Sequence, residues 1–160
     1  MKKLFYFLLL NFFCLSLINL SSCSEKDDVY NTDISYNDLP VAAKQFCEDY
    51  FSYTVVNKVI QINDDGEILY QVNFADGCEA VFDSSGIWQE VDAPDGKNIP
   101  DGIVPETIQQ YLDRYYSDYG VNEINKTGYG YNVELNTGKG NETLDLMFGP
   151  DGTYLGPETD

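Results

Sequence analysis

The sequence predicts an α+β fold: a tandem repeat of two units, each one helix packed on an antiparallel sheet of about four strands. Three observations predict it. An amphipathic stretch at 39–51 recurs at 104–116, short runs of alternating polarity follow each copy, and glycine-containing turns separate those runs. Turns this short leave no room for crossover helices, so neighbouring strands must be antiparallel.

In the first helix Leu39, Ala42, Ala43, Phe46, Cys47, Tyr50 and Phe51 recur every three or four positions. Lys44, Gln45, Glu48 and Asp49 fall on the other side. Asp38 is placed to accept the free amide hydrogens of the first turn, and Pro40 gives up an amide that would have no partner. The second helix carries Val104, Ile108, Tyr111, Leu112, Tyr115 and Tyr119 on its stripe. An offset of 65 superposes Pro40 on Pro105, Phe46 on Tyr111, Tyr50 on Tyr115 and Phe51 on Tyr116. At an offset of 66, Val81 and Phe82 fall on Met147 and Phe148, Gly86 on Gly152 and Trp88 on Tyr154. A match that continues through strands and a glycine turn marks duplication of one small unit.

After the first helix, residues 58–62, 67–74, 78–82 and 87–91 read as strands. In the second of these Ile68, Tyr70, Val72 and Phe74 point one way, and Leu69, Gln71 and Asn73 the other. Gly66, Gly77 and Gly86 supply the positive φ of the tight turns between them. In the second unit a strand around Ile124 precedes the alternation of Tyr129, Tyr131, Val133 and Leu135, then strands at 143–148 and 153–155.

The N-terminus begins Met1, Lys2, Lys3 and continues with an apolar run from Leu4 to Leu20, the pattern of a secretory signal. Leu20, Ser21, Ser22 and Cys23 resemble a bacterial lipobox, which makes Cys23 the lipidation site. The expected layout is therefore 1–22 lipoprotein signal peptide, 23–37 acidic flexible tether, 38–92 first unit, 93–102 Pro/Gly/Asp-rich linker and 103–160 second unit. This predicts a lipid-anchored protein of the outer membrane of a Gram-negative bacterium, with the periplasmic side and the cell surface both open.

Paired Leu39-Pro40 and Val104-Pro105 helices, the strands 70–74 and 131–135, and the turns 81–86 and 148–152 resemble the PepSY-like, β-lactamase-inhibitor-like family of secreted lipoproteins. The resemblance spans residues 38 to 156. It implies two units with their sheets side by side and a non-catalytic role in binding, and in some settings inhibiting, another exported protein. It supplies no binding motif to place on particular residues.

Charge and chemistry narrow the function. The chain carries −18 formally; loss of Lys2 and Lys3 with the leader leaves seven basic against 27 acidic residues, a net of −20. That excludes nucleic acid as a partner and limits membrane attachment to the lipid anchor. The chain contains no His, the commonest general base and transition-metal ligand, so no Ser-His-Asp or Cys-His site can form. No enzyme activity, cofactor or metal is predicted. Residues 63–67 superficially suggest a calcium loop, but Val72 stands where the acidic ligand six positions after Gly66 would be needed. Cys47 and Cys78 fall on inward faces, where the repeat places Leu112 and Leu144. They are open to two readings, a disulfide pinning helix to sheet or two buried free thiols.

Trp88, Tyr129 and Tyr154 remain as candidate binding residues. Exposed on the open sheet face, they would anchor a protein partner or stack on a sugar; turned inward, they are core. The leading expectation is a cell-envelope module that binds another exported protein through its sheet face. The alternative is a glycan-binding accessory lipoprotein.

Overall fold

The computed structural model describes residues 29–64, 66–139 and 142–158. The expected signal segment 1–22 and the expected lipidation site Cys23 lie outside them. Nine strands form one antiparallel sheet whose spatial order follows the chain: β1 (Tyr30–Asp33), β2 (Val56–Asp64), β3 (Glu67–Phe74), β4 (Glu79–Asp83), β5 (Trp88–Asp92), β6 (Gly120–Thr127), β7 (Gly130–Asn136), β8 (Thr143–Phe148) and β9 (Tyr154–Pro157). Helix α1 (Val41–Tyr50) lies between β1 and β2, and α2 (Glu106–Tyr115) between β5 and β6.

Both helices cover the same face. Ala43 and Cys47 of α1 and Ile108 and Leu112 of α2 share one apolar core with Val72, Phe82, Val91, Ile124, Val133, Leu146 and Phe148. The period-2 alternation of the strands puts these residues on the helix side and sends their neighbours to the opposite side. Among the described residues no helix covers that second face. The halves are continuous, because β5 pairs with β6 through Glu90↔Asn125, Val91↔Ile124 and Asp92↔Glu123.

The same ring geometry surrounds both helices. Phe46 of α1 meets Phe82 edge-on at 5.4 Å and 79°, and Tyr111 of α2 meets Phe148 at 5.5 Å and 80°. Phe46–Tyr50 and Tyr111–Tyr115 are each 4.7 Å apart. Edge-to-face pairs of this kind contribute about 0.5–1.5 kcal/mol beyond the area they bury. Each helix also begins over a turn that must be glycine. Gly86 has φ +84°, and a Cβ there would stand 2.8 Å from both Pro40 Cβ and Ala43 N. Gly152, with φ +82°, abuts Thr107 and Ile108 in the same way.

Three details differ from the expected layout. Part of the segment expected as a tether at 23–37 is ordered structure, because Tyr30–Asp33 pairs with β2 and Tyr36–Asp38 forms a 3-10 turn. Asp38 does not cap α1; it accepts from Ser35 N at 3.2 Å and belongs to the 3-10 turn, leaving Pro40 as an N-cap with no side-chain bond. The linker at 93–102 is docked: Ala93 and Ile99 are buried, and the buried Asn122 amide donates to the carbonyls of Ala93 at 2.9 Å and Lys97 at 2.9 Å. A buried amide satisfied this way ties the crossing segment to β6.

Candidate functional site

The uncovered face of the sheet is built from the residues that alternate with the core. Direct cross-strand partners align Glu79 of β4 with Asp92 of β5, Asp92 with Glu123 of β6, Glu123 with Glu134 of β7, and Glu134 with Asp145 of β8. Five carboxylates thus stand in one row on five consecutive strands, spanning about 19 Å at the ~4.8 Å spacing of paired strands. Glu90 stands in the next row, between Val81 and Asn125. Asn73 and Lys58 continue the first row toward β2.

Like charges directly opposite each other destabilise a sheet, so this row opposes folding. Among the described residues, the strand-borne basic side chain on this face is Lys58, and it is engaged with Asp33 at 2.9 Å. Lys126 of β6 points the other way, onto Trp88. Amides soften part of the repulsion: Gln71 Nε2 donates to Glu79 at 3.0 Å and Asn125 Nδ2 to Glu123 at 3.0 Å.

The carboxyls respond to this setting. Burial first, then Glu123, Asp92 and Glu79, push Glu90 up to about 9. Burial and then Glu123 and Glu79 raise Asp92 to about 7. Burial, Glu123 and Asp145 raise Glu134 to about 7. Glu123 is also raised by burial, although the Asn125 hydrogen bond pulls it down. Near neutral pH the row therefore holds protons that a cation would displace. Among the described residues, no three Cys, Asp or Glu side chains converge as they would around a metal ion. The arrangement is a ladder rather than a cage.

The aromatic candidates lie elsewhere. Trp88 is half-buried on the helix side, opposite Phe82, with Lys126 Nζ 4.0 Å from its ring and donating to its carbonyl at 2.8 Å. Tyr154 is also on the helix side, stacked on Tyr111 at 4.6 Å and 21°. Tyr129 is 87% exposed, just after the end of β6. The three rings are not gathered on the open face, where the cross-strand row is acidic instead. Cys47 and Cys78 are both buried free thiols, so the disulfide reading does not hold. Burial raises Cys47 to about 12 and Cys78 to about 11, where neither is a nucleophile.

The carboxylate row is what residue-level reading missed. Acidic residues are so frequent that no pair stands out, and aligning them across strands needs a register that bulges in β2, β5 and β6 reset.

A family model described as "Putative beta-lactamase-inhibitor-like, PepSY-like" matches residues 68–155. A search of curated proteins finds no match. Among solved structures, a Bacteroides thetaiotaomicron protein described as a putative calcium-regulated periplasmic protein is 27% identical, with TM-score 0.72 over 81% of this chain and 97% of its own. A Bacteroides vulgatus putative periplasmic protein of unknown function is 29% identical, with TM-score 0.71 over 82% and 100% of the two chains. A second B. vulgatus protein, of the DUF2874 family, is 26% identical, with TM-score 0.72 over 81% and 97%.

Proposed function

The chain belongs to the PepSY-like, β-lactamase-inhibitor-like family, and from that premise we propose that it is a non-catalytic cell-envelope protein that binds another exported protein across the open face of its sheet. Inhibition of that protein is one way such binding acts. The carboxylate row from Glu79 to Asp145 is the observation that carries the reading. A surface that opposes its own folding through like charge gains most from a partner presenting lysine or arginine. The absence of His from the chain and the raised thiols speak against catalysis.

In this reading the protein is anchored through lipid on Cys23 in a Gram-negative outer membrane. The description of its structural relatives as periplasmic supports the periplasmic side. The matched ring geometries around Phe46 and Tyr111 support an origin as two tandem units.

A second reading replaces the basic partner with calcium. It is favoured by the description of the B. thetaiotaomicron relative, and it requires carboxylates on neighbouring strands to move together. The test is capture from an envelope extract on immobilised chain beginning at Cys23, alongside a D92N/E123Q/E134Q variant. A single basic protein retained by the parent chain, released by salt and lost in the variant supports docking. Retention unchanged by the variant overturns it. Calorimetric calcium binding that disappears in the variant, with no protein retained, favours the second reading.

A further inference from the structure

The C-terminal ends of the two helices each border a cleft, and the two clefts occupy equivalent places. One, of about 210 Å³, lies at the end of α1 and is lined by Tyr36, Cys47, Phe51, Thr54, Val56 and Phe74 among others. The second, of about 220 Å³, lies at the end of α2 beneath the linker. At the offset of 65, Tyr36 is replaced there by Asp101, Phe51 by Tyr116 and Thr54 by Tyr119. The second wall is the more polar: Asp101 brings a carboxylate where Tyr36 stands, Tyr116 adds a hydroxyl to the ring position of Phe51, and Tyr119 puts a ring in place of Thr54.

The α2 cleft presents two aromatic rings, Tyr116 and Tyr119, with centroids 6.0 Å apart and planes inclined by 33°. Around them stand Asn98, Gln109, Asp113 and Ser117. Gln109 Nε2 donates to Asp113 Oδ1 at 2.7 Å, one helical turn apart on α2. Rings offering a flat apolar face beside a carboxylate, amides and a hydroxyl are the groups that recognise a sugar: C–H bonds lie on the ring while vicinal hydroxyls divide between acceptor and donor. The volume is below the ~300–1,000 Å³ of pockets for drug-sized ligands, so it suits one ring. The net negative charge of the chain disfavours an anionic ligand.

We propose that this cleft is a subsite for a single neutral sugar ring, with Tyr119 as stacking platform and Asp113 as hydroxyl acceptor. The site is separate from the open sheet face and stands or falls independently of it. Tyr119 and Asp113 are exposed, so neither supports the core. The experiment is an amide-shift NMR titration of the processed chain with glucose, galactose, mannose and N-acetylglucosamine, repeated on Y119A and D113N, with melting temperature as the folding control. The proposal expects one sugar to move resonances of 98–102 and 109–121, and each variant to weaken binding about tenfold, ~1.4 kcal/mol, at unchanged melting temperature. It is overturned if no sugar moves those resonances, if they move equally in both variants, or if only calcium moves them.

Discussion

The two faces of one sheet obey opposite rules. On the helix side strands β2 to β9 contribute apolar residues that pack in one core with α1 and α2, and Phe82 and Phe148 are closed from water. One residue earlier in the same strands, Val81 and Met147 share their face with Gln71, Glu90 and Asn132. The first face is shaped by the stability of the fold. The second carries a charge row that costs stability.

The contrast can be broken most severely from the helix side. Phe82→Ala removes a fully buried ring from contact with Phe46 and is expected to cost about 3–5 kcal/mol, read as a loss of urea midpoint. Next is Gly86→Ala, whose Cβ would press on Pro40 and the Ala43 amide from a left-handed backbone; about 1–3 kcal/mol is expected, again by denaturation.

On the open face the sign reverses. Because the folded carboxyls of Glu90, Asp92 and Glu134 are raised, the folded state holds protons that the unfolded state releases. Their contribution is complete below the ordinary carboxylate range near 4 and is lost as pH rises through about 7 and then about 9. The E90Q/D92N/E134Q variant should therefore gain on the parent chain as pH rises from 5 to 9. The expected gain is on the order of 1 kcal/mol or more, a few degrees in melting temperature. A constant difference across that range would remove the raised carboxyls from the account. The smallest effect is at a site belonging to neither face: Tyr129→Ala, just beyond β6, should stay within about 0.5 kcal/mol, and a larger loss would show that Tyr129 packs on something.

Much of the helix side was legible in the sequence, because 3.6-residue periodicity in α1 and α2 and period-2 alternation in β3 and β7 name the inward residues directly. The open face was not, since a row across strands depends on register, and register depends on bulges. The irregularity between Val81 and Phe82 makes Gln89 an extra residue in β5, so Glu90 faces outward while Trp88 turns inward. Without that bulge the parity of Trp88 cannot be assigned. Similar shifts at Val56/Lys58 and Val121/Glu123 reset the alternation in β2 and β6. The N-cap at Asp38 failed for a local reason: the carboxylate had a nearer amide to serve in the preceding 3-10 turn. Nor could the sugar-sized cleft be read from spacing, because its walls come from the linker, α2 and the start of β6.

The order β1 to β9 along the sheet has a consequence in time as well as space. Each strand pairs with its neighbour in sequence, through a short turn in most cases and across an intervening helix at β1–β2 and β5–β6. Local pairing of this kind keeps loop-closure costs low and favours fast folding. A chain delivered from its N-terminus could add strands one at a time to a growing edge, and the acidic row, assembled from β4 to β8, would be completed only as the last strands arrive.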